Sequence, residues 1–292
     1  MKQDVLPVIL GATSGAYALS HAFFHDYGII PLVLDEEIPP LFSHTFCAYA
    51  DERKNLRKAH ILYRVLEDIA SKAQGKSLIL IPADAYFLSL VEENAEALER
   101  SFLLPHLPTP SDASLPTDTV ALALLYRAKN GECRTVFAHI LAKAPSGEIA
   151  VLRAENIPTD IRESVAKEAK DLRRGIYLFF IDREGRLYRD STVLSHLIAF
   201  CAAKDASLPE WLIAETVLCT PLPETQSVLS GAFTLFPYRK SKRFLSGTQK
   251  KSLRGVEKCV LYSFKEEGVR RDIARVFRAL YQAHIAENKP KD

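Results

Sequence analysis

Residues 5–35, VLPVILGATSGAYALSHAFFHDYGIIPLVLD, decide the fold. Val5 to Leu10 is a nearly unbroken apolar run, the pattern of a strand buried on both faces. It runs into Gly11-Ala12-Thr13-Ser14-Gly15, after which Ala18, Leu19, Ala22 and Phe23 recur at the three-to-four spacing of a helix face. Gly28 supplies a C-terminal stop, and Ile29 to Leu34 is a second apolar strand ending in Asp35. Strand, glycine loop, helix and strand make one β-α-β unit of a parallel sheet.

A second cycle follows. Leu62, Val65, Leu66 and Ile69 form the inner stripe of a helix, Gly75 stops it, and Ser77 to Pro82 is another strand. Asp84 stands at its carboxyl end, before a helix marked by Phe87, Leu88 and Val91. Open parallel sheets bind ligands outside the carboxyl ends of their strands, so Gly11 to Gly15, Asp35 and Asp84 are expected at one edge. The loop reads G-x-x-x-G and lacks the dinucleotide fingerprint. Two readings stay open: a tight turn with Ser14 satisfying helix N-terminal amides, or a helix N-terminus facing a carboxylate or phosphate.

The stretches 7–37 (PVILGATSGAYALSHAFFHDYGIIPLVLDEE), 41–51 (LFSHTFCAYAD) and 78–105 (LILIPADAYFLSLVEENAEALERSFLLP) resemble, in that order, the N-terminal domain of ATP-grasp carboxylate–amine ligases. The likeness is to the D-aspartate-ligase-like branch. It is carried by Gly11, Ser14 and Gly15, by Ser43 near the second strand, by Pro82 with Asp84, and by Phe102 with Pro105. It implies substrate or nucleotide contacts at Gly11, Ser14, Gly15, Asp35, Ser43 and Asp84. The implied fold class is α/β: a Rossmann-like pre-ATP-grasp domain with a parallel sheet, then an α+β domain resembling a reduced ATP-grasp core.

Pro105, Pro108, Pro110 and Pro116, with Ser111, Asp112 and Ser114 among them, mark a stiff polar linker. The expected units are residues 1–104, the linker 105–118, and 119–292. Val120 to Tyr126 and Arg134 to Leu141 are strand-like around the turn Lys129-Asn130-Gly131-Glu132. A helix is expected from about Thr159 to Leu172, with Thr159 or Asp160 as N-cap and Glu163 as the capping-box partner of Asp160. Gly175 to Ile181, the turn Asp182 to Gly185, and Arg186 to Arg189 read as a second hairpin.

In the family that this order resembles, the second hairpin carries acids and an asparagine that hold magnesium on the ATP phosphates. Here the first glutamate position falls on Leu178 or Phe179, and no register restores acid, asparagine and arginine together within 189–195. Asp182 reads as a turn residue. Magnesium needs oxygen donors, so Asp190 is the sole candidate ligand. No glycine-rich loop with a nearby lysine lies between Thr117 and Val151, where the family has its nucleotide clamp. Lys143 is the candidate phosphate-pairing cation. The resulting expectation is a divergent homologue without intact Mg–ATP catalysis. It would keep a cleft for a small carboxylate, an amino acid or a nucleotide, or serve as a partner subunit or homo-oligomer. The alternative is an active ATP-dependent amino-acid ligase with displaced metal ligands; only there are ATP and magnesium its cofactors.

The C-terminal third adds a helical stretch from Val193 to Ala203, with His196 read as a core-edge residue. A helix opening at Leu208-Pro209-Glu210-Trp211 places Trp211 in the core, and an amphipathic helix runs from Val269 to Ile285. Residues 238–254 concentrate Arg239, Lys240, Lys242, Arg243, Lys250, Lys251 and Arg254. An anion or nucleic-acid site there is the third alternative, and a solvated loop is the preferred reading. Against 36 acidic side chains stand 38 basic ones, so the net charge of +2 disfavours general attraction to nucleic acid or membrane. The five cysteines form no C-x-x-C pair and read as reduced thiols. No signal-peptide pattern appears at the start, so the expected location is cytoplasmic. There is no G-x-S-x-G elbow, H-E-x-x-H or Walker loop to support other chemistry.

Overall fold

The computed structural model describes residues 4–39, 42, 45–105, 118–127, 130–143, 149–154, 156–172, 175–189, 208–218, 231–234, 242–254, 256 and 258–260. The first sheet has four strands: β1 (Val5–Leu10), β2 (Leu32–Asp35), β3 (Tyr49–Glu52) and β4 (Ser77–Pro82). Their order is β3-β2-β1-β4 and every pairing is parallel. Helices α1 (Ser14–Tyr27), α2 (Ala59–Lys72), α3 (Ala85–Glu93) and α4 (Ala95–Leu98) connect and cover it.

The unbroken apolar runs are explained by burial on both faces of the sheet. Ile9, Val33, Ile79 and Ile81 pack with Ala16, Leu19 and Phe23 of α1. Val8, Leu10, Leu34 and Leu80 pack on the opposite side with Leu62 and Leu66 of α2 and Phe87 and Val91 of α3. Strand β2 starts at Leu32 and not at Ile29, because the intervening backbone closes the helix. Gly28 takes a left-handed φ of 64°, its N–H donates to Phe24 O, and the Ile29 N–H donates to Phe23 O. These bonds satisfy carbonyls that α1 would otherwise leave open.

The second sheet contains β5 (Ala121–Arg127), β6 (Cys133–Lys143), β7 (Ile149–Ala154), β8 (Gly175–Ile181), β9 (Leu187–Arg189), β10 (Gly231–Thr234) and β11 (Lys258–Val260). The order is β11-β10-β7-β6-β5-β8-β9. All pairings are antiparallel except β10 with β11. Both expected hairpins are present, with Gly131 and Gly185 in the left-handed region at their turns. Helix α5 (Thr159–Lys170) begins one residue after Pro158, which is the N-cap, and no side chain caps it. The expected capping box of Asp160 and Glu163 is therefore absent: the fixed φ of Pro158 leads the chain directly into the helix.

Helix α5 covers one face of this sheet, where Ile161 and Val165 meet Leu125, Phe137, Tyr177 and Phe179. The other face presents Leu122, Leu124, Tyr126, Leu178 and Phe180 to the same apolar cluster that holds Leu19 and Phe23 of α1. Helix α6 (Leu208–Ile213) wedges Trp211, 1% exposed, into that cluster. The Trp211 ring lies 5.3 Å from Tyr126, and α6 packs against α1. Among the described residues no helix is long and apolar enough to cross a membrane. The stretch 193–203, the helix 269–285 and most of the proline-rich linker lie outside the described residues.

Candidate functional site at the carboxyl edge

The chain leaves β1 at Gly11 with φ 99°, and a β-carbon there would stand 3.2 Å from Asp84 Oδ2. Glycine is thus fixed by conformation and by the close approach of an acid. Thr13, not Ser14, caps α1: its hydroxyl accepts from the Ala16 N–H at 3.1 Å and donates to Ala83 O at 3.4 Å. Ser14 is already the first helical residue.

Gly11, Asp35 and Asp84 come together at the carboxyl ends of β1, β2 and β4. Asp35 accepts the Ala12 N–H on Oδ2 at 2.8 Å and the Glu36 N–H on Oδ1 at 2.7 Å. Asp84 caps α3, accepting the Phe87 N–H on Oδ1 at 2.8 Å. Arg57 joins the two acids. Its Nη2 lies 2.8 Å from Asp84 Oδ2 and 3.4 Å from Asp35 Oδ1.

Two aromatic rings flank the guanidinium. It sits 4.8 Å from the Phe87 ring centre and 5.3 Å from that of Tyr86. The Tyr86 hydroxyl donates to Arg57 O, and the Arg57 N–H donates to Glu36 Oε1 at 3.1 Å. Partial burial works against the Arg57 charge. The hydrogen bond and charge of Asp84, then the charges of Asp35 and Glu36, outweigh it and raise the pKa above the ordinary arginine value. Three carboxylates thus lie around one guanidinium.

Arg57 was not legible in the sequence. It lies in the turn between β3 and α2, after Asn55 at φ 61°, where no hydrophobic period marks it.

Lys143 lies in the other sheet. It is half-buried at the end of β6, opposite Ile149, just past a register irregularity at Ile140 to Ala142. Ser43 and Asp190 lie outside the described residues, and Gly15 is the second residue of α1. Of the basic region, residues 242–254 are described. They form a short turn, Lys242–Phe244, and a helix, Gly247–Ser252, whose capping box joins Ser246 and Gln249. Leu245 and Leu253 are buried, and Gln249 Nε2 donates to Leu141 O at 2.6 Å. This part of the segment is docked on the sheet.

No protein-family model matches the chain, and no curated protein matches it. Solved structures do. The urea carboxylase of Kluyveromyces lactis matches over 80% of this chain, with a TM-score of 0.50 and 10% identity. The fold is that of the ATP-grasp carboxylate–amine ligases. An L-amino acid ligase from Bacillus licheniformis matches over 63% of this chain (TM-score 0.42, 12% identity). N5-carboxyaminoimidazole synthetase from Staphylococcus aureus matches over 85% (TM-score 0.47, 10% identity). The chain spans 23% of the urea carboxylase, 65% of the L-amino acid ligase and 86% of the synthetase.

In an ATP-grasp ligase the hairpin that β8 and β9 resemble would carry magnesium ligands. Leu178 and Phe179, on one or the other of which the resemblance puts the first glutamate position, are 1% and 0% exposed. Leu178 faces the cluster shared by both sheets, and Phe179 faces α5. Neither has an oxygen to offer. Among the described residues one group of acids has metal-like spacing, Asp118, Asp182 and Glu184, with donor atoms within 4.8 Å of one another. Asp182 is the buried member, and its oxygens are committed. Oδ1 accepts the N–H groups of Glu184 at 3.0 Å and Arg186 at 2.9 Å. Oδ2 accepts Arg186 Nε at 2.6 Å and the Tyr188 hydroxyl at 3.2 Å. Burial pushes its pKa up, but the Arg186 and Tyr188 hydrogen bonds and the Arg186 charge prevail and hold it below the ordinary carboxylate value. A carboxylate with its lone pairs already taken does not fit magnesium. Asp182 is the turn residue that the sequence predicts.

Proposed function

We propose that this chain is an ATP-grasp-fold protein that carries out no Mg–ATP ligation of its own and binds a small amino acid at the edge built by Gly11, Asp35, Arg57 and Asp84. The observation that carries the first half is the chemistry of β8. Hydrocarbon side chains fill both faces where the resemblance asks for a carboxylate. Without a metal, the phosphate charge is unneutralised and acyl-phosphate formation loses several kcal/mol of stabilisation.

The second half rests on the edge's charge. Three acids against one arginine repel a simple carboxylate but attract an ammonium group, while the α1 N-terminus favours an anion. A zwitterionic amino acid satisfies both. We also take residues 1–104 and 119–292 as the two units of the chain, with the 105–118 linker between them.

The test is ADP release and amide formation with magnesium, ATP and amino acids supplied singly and in pairs. The expected result is no turnover above background, together with a thermal shift by amino acid alone that Asp84→Asn abolishes. Amide formation coupled to ADP release, and lost in Asp190→Asn, would overturn the reading.

A further inference from the structure

A cavity of about 690 Å³ opens between the β5–β6 hairpin and helix α5. It lies on the sheet face that carries Phe179 and α5, opposite the face that carries Leu178, and neither Leu178 nor Phe179 lines it. Arg127, Arg162 and Lys170 line it, with Cys133, over an apolar wall that includes Leu125 and Ile157. Among the described residues no acidic side chain lines it.

These three cations differ from others on the molecule. Arg53, Arg57, Lys72 and Arg186 each have a carboxylate oxygen within 2.8 Å. Among the described residues, Arg127, Arg162 and Lys170 have no carboxylate partner. Arg127 is instead fixed in place by a hydrogen bond from Nη1 to Leu172 O, at the end of the α5 segment. Its other terminal nitrogen lies 4.0 Å from where a Gly131 β-carbon would be, so the turn glycine leaves it room.

Arg162, Ala166 and Lys170 follow one another at four-residue spacing, which puts them on one face of α5. Alanine in the middle keeps the space between helix and sheet open. Guanidinium groups that line one cavity without a described carboxylate partner are suited to a multiply charged anion, and arginine's fork matches phosphate oxygens. A cavity of this size takes an organic molecule and not only an ion.

We infer that this cavity binds a phosphate-bearing small molecule, the phosphate on Arg127, Arg162 and Lys170 and the organic part against Leu125 and Ile157. Cys133 reports on occupancy. Its sulfur is exposed and lies 3.5 Å from Gly131 O on the cavity wall. Bound ligand would cover it.

The experiment uses the full chain in EDTA, so that magnesium-dependent nucleotide binding is not read. Alkylation of Cys133 by iodoacetamide is followed by peptide mass, with and without inorganic pyrophosphate at constant ionic strength. The inference predicts alkylation roughly tenfold slower at a pyrophosphate concentration about ten times the dissociation constant. Arg162→Gln with Lys170→Gln should restore the unprotected rate. Both residues are exposed and lack a carboxylate partner, so the melting temperature of the variant should match the parent. Lys170→Gln alone should give an intermediate rate. No protection, protection that survives in the double variant, or equal protection by citrate at the same concentration would overturn the assignment to phosphate.

Discussion

A β-carbon at position 11 would meet Asp84 Oδ2 at 3.2 Å on a backbone with φ 99°. Gly11→Ala therefore carries both conformational strain and a displaced acid, and should destabilise the chain by about 1–3 kcal/mol in urea denaturation. Asp182 makes a second prediction. Its folded pKa lies below the ordinary value, so its stabilising contribution is complete above roughly pH 4 and is lost as pH falls through the folded pKa. The gap in melting temperature between the parent and Asp182→Asn should be widest near neutral pH and narrow on acidification. A gap independent of pH would contradict the role given to its charge. At this scale the sequence was partly legible. The glycine, the strand-end acids and the turn aspartate follow from local rules of backbone and capping. Arg57 does not, because what selects it is the meeting of Asp35 and Asp84 across 49 positions of chain, a tertiary fact that no local pattern encodes.

Among the elements, periodicity was a good guide wherever burial was one-sided or complete. Strand β4 and helices α1, α2 and α3 lie where their apolar spacing places them, and the β5–β6 and β8–β9 hairpins follow their turn glycines. Strand β3 was missed: Tyr49-Ala50-Asp51-Glu52 is a short edge strand, polar and largely exposed, held by parallel pairing to β2. Its stability comes from its neighbour's hydrogen bonds, which composition does not reveal. The caps were also displaced by one residue, to Thr13 and Pro158, within the usual reach of boundary errors. Helix α6 yields the prediction at this scale. Trp211 is buried in a cluster fed by both sheets and its ring lies tilted against that of Tyr126, so Trp211→Ala should cost about 3–5 kcal/mol by chemical denaturation. The same variant should loosen both sheets together, seen as hydrogen exchange rising in β1 as well as β5. Exchange confined to one sheet would contradict a shared core.

Across the whole molecule, scaffold and chemistry separate in the proposed reading. An all-parallel sheet and a mostly antiparallel one share an apolar cluster and reproduce the ATP-grasp fold. The hairpin that would hold the metal in that fold is sealed with Leu178, Phe179 and Phe180, and its buried aspartate is spent on a turn. In the proposed reading fold and chemistry are set by different residues, and the fold is kept without the ligation. The most direct measurement is thermal denaturation with excess ATP, with and without magnesium. With no Mg–ATP site, magnesium should add nothing to whatever shift ATP gives. A ligand at about 100 times its dissociation constant adds about 2.7 kcal/mol. That would raise the melting temperature of a chain this size by at least about 2–4 °C. A rise of that size appearing only when magnesium is present would contradict the account.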